Sequence, residues 1–95
     1  MVILQIEHSV SNFEAWKQSF DSDPAGRQKS GVRRYRILRP IDNPNHAVIE
    51  LEFDNVNQAE ALLSMLRNNV WPRVQGTIIE SPQGRIVEIV ESVEY

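Results

Sequence analysis

The sequence contains no cysteine among its 95 residues. This absence excludes disulfide bonds, thiolate nucleophiles and cysteine zinc sites, and it favours a reducing compartment, so we expect a cytoplasmic protein. Glycine and histidine are also scarce, with four and two residues. No glycine-rich phosphate-binding loop, nucleophile motif or cluster of metal ligands is present. Sequence motifs alone therefore assign no specific chemistry to the chain.

Long apolar runs are missing as well, and no segment reaches the roughly 20 residues needed to cross a bilayer. Residues 1–7 contain no basic side chain and already reach a charge at Glu7, which argues against a secretory signal peptide. The net charge is −3, and the basic residues are matched locally by acids rather than gathered in a patch. We therefore expect neither membrane insertion nor nucleic-acid binding.

What is present has the length and composition of one small domain, residues 1–95, with 41% apolar and 24% charged residues. The chain begins with a predicted strand from Val2 to Val10. Because side chains alternate between the two faces of a strand, Leu4, Ile6 and His8 share one face. That face is expected to point toward the core, with His8 at its end.

An aromatic helix is predicted directly after this strand. Ser11 and Glu14 have the spacing of a capping box, which places the helix start near Asn12. The helix is expected to end near residues 21–22, because Pro24 disfavours its continuation. Its face at spacing i, i+3, i+4 and i+7 carries Phe13, Trp16, Lys17 and Phe20. This face must be buried against another element.

A hairpin is predicted next, around a loop rich in proline and asparagine. Its two strands are expected at Val32 to Arg39 and at His46 to Phe53. Pairing opposite charges sets its register. The expected pairs are Arg36 with Glu50, Arg34 with Glu52, Tyr35 with Leu51, and Ile37 with Ile49. One face of the hairpin is then apolar. The other is a charged ladder in which the arginines need no anionic ligand.

The second half of the chain begins with a helix capped by Asn55 or Asn57, whose apolar stripe marks it as core. Trp71-Pro72 is expected to end it. The segment 81–84 has the composition of a tight turn. A last strand is predicted from residue 85 to 95, and its apolar residues on both sides imply that both sides are covered.

The order strand, helix, strand, strand, helix, strand predicts an α+β, ferredoxin-like fold with an antiparallel sheet and both helices on one face. In size, element order and a strand-end His8 before an aromatic helix, the whole chain resembles the dimeric α+β barrel superfamily. Small members of that superfamily include antibiotic-biosynthesis-type monooxygenases, muconolactone isomerases and heme-degrading enzymes. The resemblance implies a homodimer joined through the sheet faces, with a ligand site between the sheet and helices of each subunit.

The resemblance also implies a set of site residues. His8 is the candidate catalytic residue, and the candidates for the ligand pocket are Phe13, Trp16, Phe20, Tyr35, Leu51 and Leu66. Heme-degrading members use a histidine on the second helix to bind iron, and none occurs between residues 56 and 70. We therefore expect no cofactor. His46 lies beside Asp42 and Asn45, but this loop cluster is too loose for a metal, so no metal site is expected.

Two functions remain open at this point. The chain is either a cofactor-independent oxygenase or isomerase acting on a small apolar molecule, with His8 as general base, or a non-catalytic dimeric module for ligand binding or interaction. In the second case His8 is a histidine at the core edge that bonds to a backbone carbonyl. A cavity beside His8 with converging polar groups would favour the enzyme, and a solidly packed His8 would favour the module.

Overall fold

The computed structural model describes residues 1–23 and 26–95. Its four strands form one antiparallel sheet in the order β2-β3-β1-β4. The elements are β1 (Val2–Val10), α1 (Phe13–Asp21), β2 (Arg34–Leu38), β3 (His46–Phe53), α2 (Val56–Met65), a π-helical turn (Leu66–Val70), α3 (Trp71–Val74) and β4 (Ile79–Glu88). The architecture is the predicted ferredoxin-like α+β fold.

The hairpin of β2 and β3 has the register that its charges predicted. Arg36 lies opposite Glu50 and Arg34 opposite Glu52, with Tyr35 opposite Leu51 between them. The β3 bounds also agree with the prediction, whereas β2 is shorter at both ends. Complementary charges and alternating apolar residues both fix the same register, because a slip by one residue would exchange the two faces.

The start of α1 was predicted at the right place from the wrong residue. The side chain of Asn12, not Ser11, accepts the N–H of Ala15 at 2.9 Å and caps the helix. The Ser11 hydroxyl instead donates to the carbonyl of Thr77 at 3.0 Å. Asparagine and serine are equally good caps, so a tertiary partner decides between them. The helix ends at Asp21 as expected, and Pro24 lies outside the described residues.

Asn55 caps the second helix by accepting the N–H of Gln58 at 3.0 Å, but Trp71-Pro72 does not end the helical path. The chain widens into the π-helical turn and continues through α3. A proline inside an α-helix lacks its N–H and collides with the carbonyl four residues earlier. In the wider turn the N–H of Trp71 donates to the carbonyl of Leu66, five residues back, so the helix passes Pro72 without that collision.

The predicted turn at residues 81–84 is wrong, because these residues lie inside β4. Ser81 and Pro82 oppose the single residue His8 of β1, which makes a β-bulge, and Ser81 has a positive φ of 52°. Bulges and edge strands tolerate proline and left-handed backbone, so turn-type residues here bend a strand instead of reversing it. The strand also ends at Glu88, so the predicted strand from 85 to 95 is formed only in its first part, and residues 89–95 lie outside it.

The core lies between one face of the sheet and the helices, and Leu62 of α2 is 2% exposed within it. We expect Leu62→Ala to lower the free energy of unfolding by about 2–5 kcal/mol, since it removes buried methyl groups and leaves a cavity. Val56→Ala is the matched control on the same helix, because Val56 is 43% exposed. Urea denaturation would measure both, and a cost under about half a kcal/mol for Leu62→Ala would contradict this packing.

No helix in the described ranges is long and apolar enough to cross a membrane.

Candidate functional site

A cavity of about 80 Å³ lies between the sheet and the helical layer, beside the bulge in β4. The β1 and β3 strands form its floor, and α1, α2, the π-helical turn and α3 cover it. Its lining residues are Ile6, His8, Trp16, Ser19, Phe20, Arg27, Ile49, Leu51, Leu62, Leu66, Val70, Trp71, Val74, Ile78 and Ile79. Histidine, serine and arginine are the polar members of this set. No carboxylate of the described residues lines the cavity.

His8 is only 4% exposed and borders this cavity from the end of β1. Its ring stands edge-on to Trp16, with the ring centroids 5.5 Å apart. Its Nδ1 lies 3.2 Å from the carbonyl of Ser9, and the neutral tautomer that donates there leaves Nε2 as a proton acceptor. Burial lowers the pKa of His8, because the charged imidazolium loses its hydration. At neutral pH the ring is therefore an uncharged base.

The lowered pKa of His8 predicts a loss of stability in mild acid. Below the ordinary value of 6.5 the unfolded chain binds a proton at His8 that the native protein does not bind. The free energy of unfolding is then expected to fall as the pH drops from about 6.5 to the native pKa, and to lose nothing further from this residue below it. Thermal unfolding at several pH values would measure this fall. It should be much smaller in His8→Gln, whereas in His46→Gln it should persist in slightly reduced form, because burial lowers the pKa of His8 more than the charge of His46 does.

The aromatic residues that the sequence singled out form a continuous row. Phe13, Trp16, Phe20 and Tyr35 follow one another with ring centroids 5.2–5.5 Å apart. Trp16 and Phe20 line the cavity, together with the predicted Leu51 and Leu66. Phe13 and Tyr35 do not line it, and Tyr35 is 45% exposed. These two residues form the ends of the row and support the rings between them.

Sequence reasoning missed several residues of the site. Trp71 was read as the end of a helix, yet it is 8% exposed and lines the cavity. Its indole approaches β4 at Gly84, where a Cβ would lie 3.3 Å from Trp71 Cη2 and 2.7 Å from Leu63 Cδ1. Arg27 and Ser19 were missed because they belong to no apolar stripe. The π-helical turn, a feature often found at functional sites, carries no sequence signature that would reveal it.

The second histidine lies apart from the cavity. His46 Nε2 is 3.9 Å from a carboxylate oxygen of Glu7 on the adjacent strand β1. Among the described residues, no three histidine, aspartate or glutamate side chains are gathered as metal ligands. The helical segment 56–74 carries no histidine that could bind a heme iron.

Comparison with known proteins adds to this picture through structure alone. No protein-family model and no curated protein matches the sequence. A proposed antibiotic biosynthesis monooxygenase from Nitrosomonas europaea is similar at a TM-score of 0.71 and 20% identity, over 96% of this chain and 100% of that one. SnoaB, a cofactor-independent oxygenase from Streptomyces nogalater, is similar at 0.75 and 14%, over 99% and 97%. The chain has the fold of these proteins.

A third similar structure is of a protein that forms a dimer. A dimeric ferredoxin-like protein from an uncultured marine organism is similar over 100% of both chains, at a TM-score of 0.71 and 8% identity. The structural neighbours thus include a dimeric ferredoxin-like protein as well as oxygenase-like proteins, all with the fold of this chain. Identities at this level establish the shared fold, and the substrate must be argued from the residues of this chain.

Proposed function

We propose that the protein is a homodimeric, cofactor-independent oxygenase that acts on a small apolar molecule bound beside His8. The observation that carries this proposal is a neutral, buried histidine at the border of a cavity that is otherwise mainly apolar. The oxygenase among the structural neighbours supports it. The cytoplasmic location expected from the sequence stays a prediction.

The chemistry would begin with Nε2 of His8 taking a proton from an acidic C–H or O–H group of the substrate. The resulting anion is electron-rich and reacts directly with dioxygen to give a peroxide. The imidazolium returns the proton to give a hydroperoxide. The reacting carbon must keep one hydrogen, because loss of that hydrogen with the outer OH as water breaks the O–O bond and leaves a carbonyl group. The apolar cavity excludes water and so strengthens the interaction between anion and imidazolium.

The size of the cavity restricts the substrate. Its volume of about 80 Å³ is below the roughly 150 Å³ of an engineered protein cavity that binds benzene. Ligand pockets for larger molecules usually hold about 300–1,000 Å³. A single ring therefore requires a modest outward shift of the cover, and fused rings require more. The π-helical turn is the irregular part of the helical cover.

Apolar residues that are exposed on the sheet face away from the helices support assembly through that face. A groove of about 660 Å³ on the face away from the helices is lined by Ile3, the charged ladder and the segment after β4. In that segment Val90 is 85%, Val93 59% and Tyr95 118% exposed. The sequence predicted that the apolar residues of the last strand are covered on both sides, and Val90 and Val93 are not covered within one chain. A second sheet face would cover them.

A non-catalytic binding module is the second candidate function, and one specific observation favours it. A histidine base is commonly oriented by a carboxylate, whereas the His8 ring lies against a backbone carbonyl, that of its neighbour Ser9. In this case the same cavity would hold a small apolar ligand without converting it.

A panel of single-ring phenols and cyclic ketones would test the proposal. Trp16 and Trp71 both line the cavity, so binding should change tryptophan fluorescence. Oxygen uptake should then occur with a chelator present and without flavin or heme, and one atom of labelled dioxygen should enter the product. Binding without uptake would favour the module, conversion without oxygen would indicate an isomerase, and no binding at all would contradict both candidates.

A further inference from the structure

Arg27 stands between the internal cavity and the protein surface. It lines the cavity beside His8 and also a surface groove of about 420 Å³ formed by the segment before β2. Its guanidinium carbon lies 3.9 Å from the ring centroid of Phe20 and 5.0 Å from that of Tyr35. Arg27 is therefore shared by the two linings, and its guanidinium stacks on one ring of the cavity, Phe20, and one ring of the groove, Tyr35.

The charge of Arg27 is shielded from water but weakly paired. Its side chain is only 16% exposed. Nη1 donates to the carbonyl of Phe20 at 2.7 Å, while Oδ1 of Asp23 is 3.5 Å from Nη1. That same Oδ1 already accepts the backbone N–H of Arg27 at 2.9 Å. Within residues 1–23 and 26–95, Nε and Nη2 have no hydrogen-bond acceptor. A guanidinium has five N–H donors, and a buried one is stabilised by an anion that accepts from two of them.

The groove outside Arg27 favours an anion for a second reason. Arg33 and Arg34 line it together with Arg27, and Asp23 is its one acidic lining residue among those described. Arg33 and Arg34 are paired with Asp54 and Glu52, respectively. Those carboxylates lie outside the groove lining, so the described lining itself carries three arginines and one acidic residue. Such an arrangement raises the local concentration of anions.

We infer that the small molecule bound in the cavity carries a carboxylate, which Arg27 holds while the apolar body reaches inward to His8. The aromatic row connects the two groups, since Arg27 stacks on Phe20, Phe20 contacts Trp16, and Trp16 contacts His8. The planar fork of arginine matches a carboxylate with two parallel hydrogen bonds. Arg27 is then the residue that selects acids over neutral molecules of the same shape.

This inference rests on the proposed function, because it requires a ligand in the cavity. Benzoate and benzyl alcohol are a suitable pair of probes, since they share the ring and differ in charge. Tryptophan fluorescence would measure both affinities for the wild type, Arg27→Gln and Arg39→Gln. The last is the matched control, because Arg39 stacks on Phe13 at 4.5 Å and lies outside the cavity lining.

We expect the wild type to bind benzoate more tightly than benzyl alcohol, and Arg27→Gln to weaken benzoate binding tenfold or more. Benzyl alcohol affinity should change less than about threefold, and Arg39→Gln should affect neither probe. If Arg27→Gln does not fold, Arg27→Lys tests the same point, because it keeps the charge but loses the two-pronged hydrogen bonding and should show a partial loss.

Three results would overturn the inference. If the wild type binds benzyl alcohol with the same affinity as benzoate, the carboxylate is not recognised. The cavity would then still be an apolar binding site. If Arg27→Gln weakens both probes equally, Arg27 only shapes the cavity. If neither probe binds the wild type, the cavity is not a ligand site and the proposed function fails together with the inference.

Discussion

His8→Gln is expected to slow turnover by about a hundredfold to ten-thousandfold while the fold and ligand binding persist. A positioned general base contributes an effect of this size, and glutamine keeps a side chain of similar bulk that cannot take a proton. The loss should appear in kcat, because the cavity that binds the substrate is formed mostly by apolar residues. Oxygen uptake with the tightest-binding phenol or ketone would measure kcat, and tryptophan fluorescence would measure affinity.

His46→Gln is the matched control for this experiment. His46 is the only other histidine of the sequence, and it does not line the cavity. Deuterium exchange at the C–H beside the carbonyl of a bound cyclic ketone gives a second readout that does not depend on oxygen. Its loss in His8→Gln would identify His8 as the base itself. Unchanged turnover and exchange in a folded His8→Gln protein would leave His8 a purely structural residue.

The site explains why the sequence revealed the part formed by β1, β3 and α1 better than the part that follows α2. His8, Leu51 and Trp16 lie in elements whose periodicity and caps are local, and local patterns are what sequence reasoning detects. The rest of the cover depends on the path of the chain from Leu66 into β4, which passes through Pro72 inside a helical segment and then through a bulge. Both features use residues that normally stop an element. Only tertiary packing determines that the chain passes through them.

The same reasoning applies to the wrong turn at residues 81–84. Serine, proline and glycine close together are typical of a chain reversal. Here each of them has a different structural role within the strand. Ser81 takes the left-handed conformation, Pro82 occupies the bulge, and Gly84 allows Leu63 and Trp71 to approach the sheet closely. The pairing of β4 with β1 is a contact between distant parts of the chain, so no local pattern could have shown it.

The charged ladder bears on the assembly, because its pairs lie on the sheet face proposed for the dimer. Arg36 Nε donates to Glu50 at 2.6 Å, and Gln5 donates to the other oxygen of Glu50 at 3.1 Å. Arg36 is 71% exposed in the single chain, whereas Glu50 is 15% exposed. The Arg36 guanidinium holds the pKa of Glu50 below its usual value. A second subunit on this face would cover Arg36 and leave the pair without water.

We therefore expect the wild type to sediment at micromolar concentration with twice the chain mass of 10.9 kDa, and Arg36→Ala to dissociate at a concentration at least about tenfold higher. Removing one partner of a buried charge pair costs roughly 2–5 kcal/mol, because the other charge stays desolvated. A two-fold axis places each pair in the interface twice, which adds to the effect. Arg33→Ala is the matched control, since Arg33 also lies 2.6 Å from its partner Asp54 but outside the ladder groove. A wild type of single-chain mass would disprove the dimer, and equal dissociation of the two variants would place the interface elsewhere.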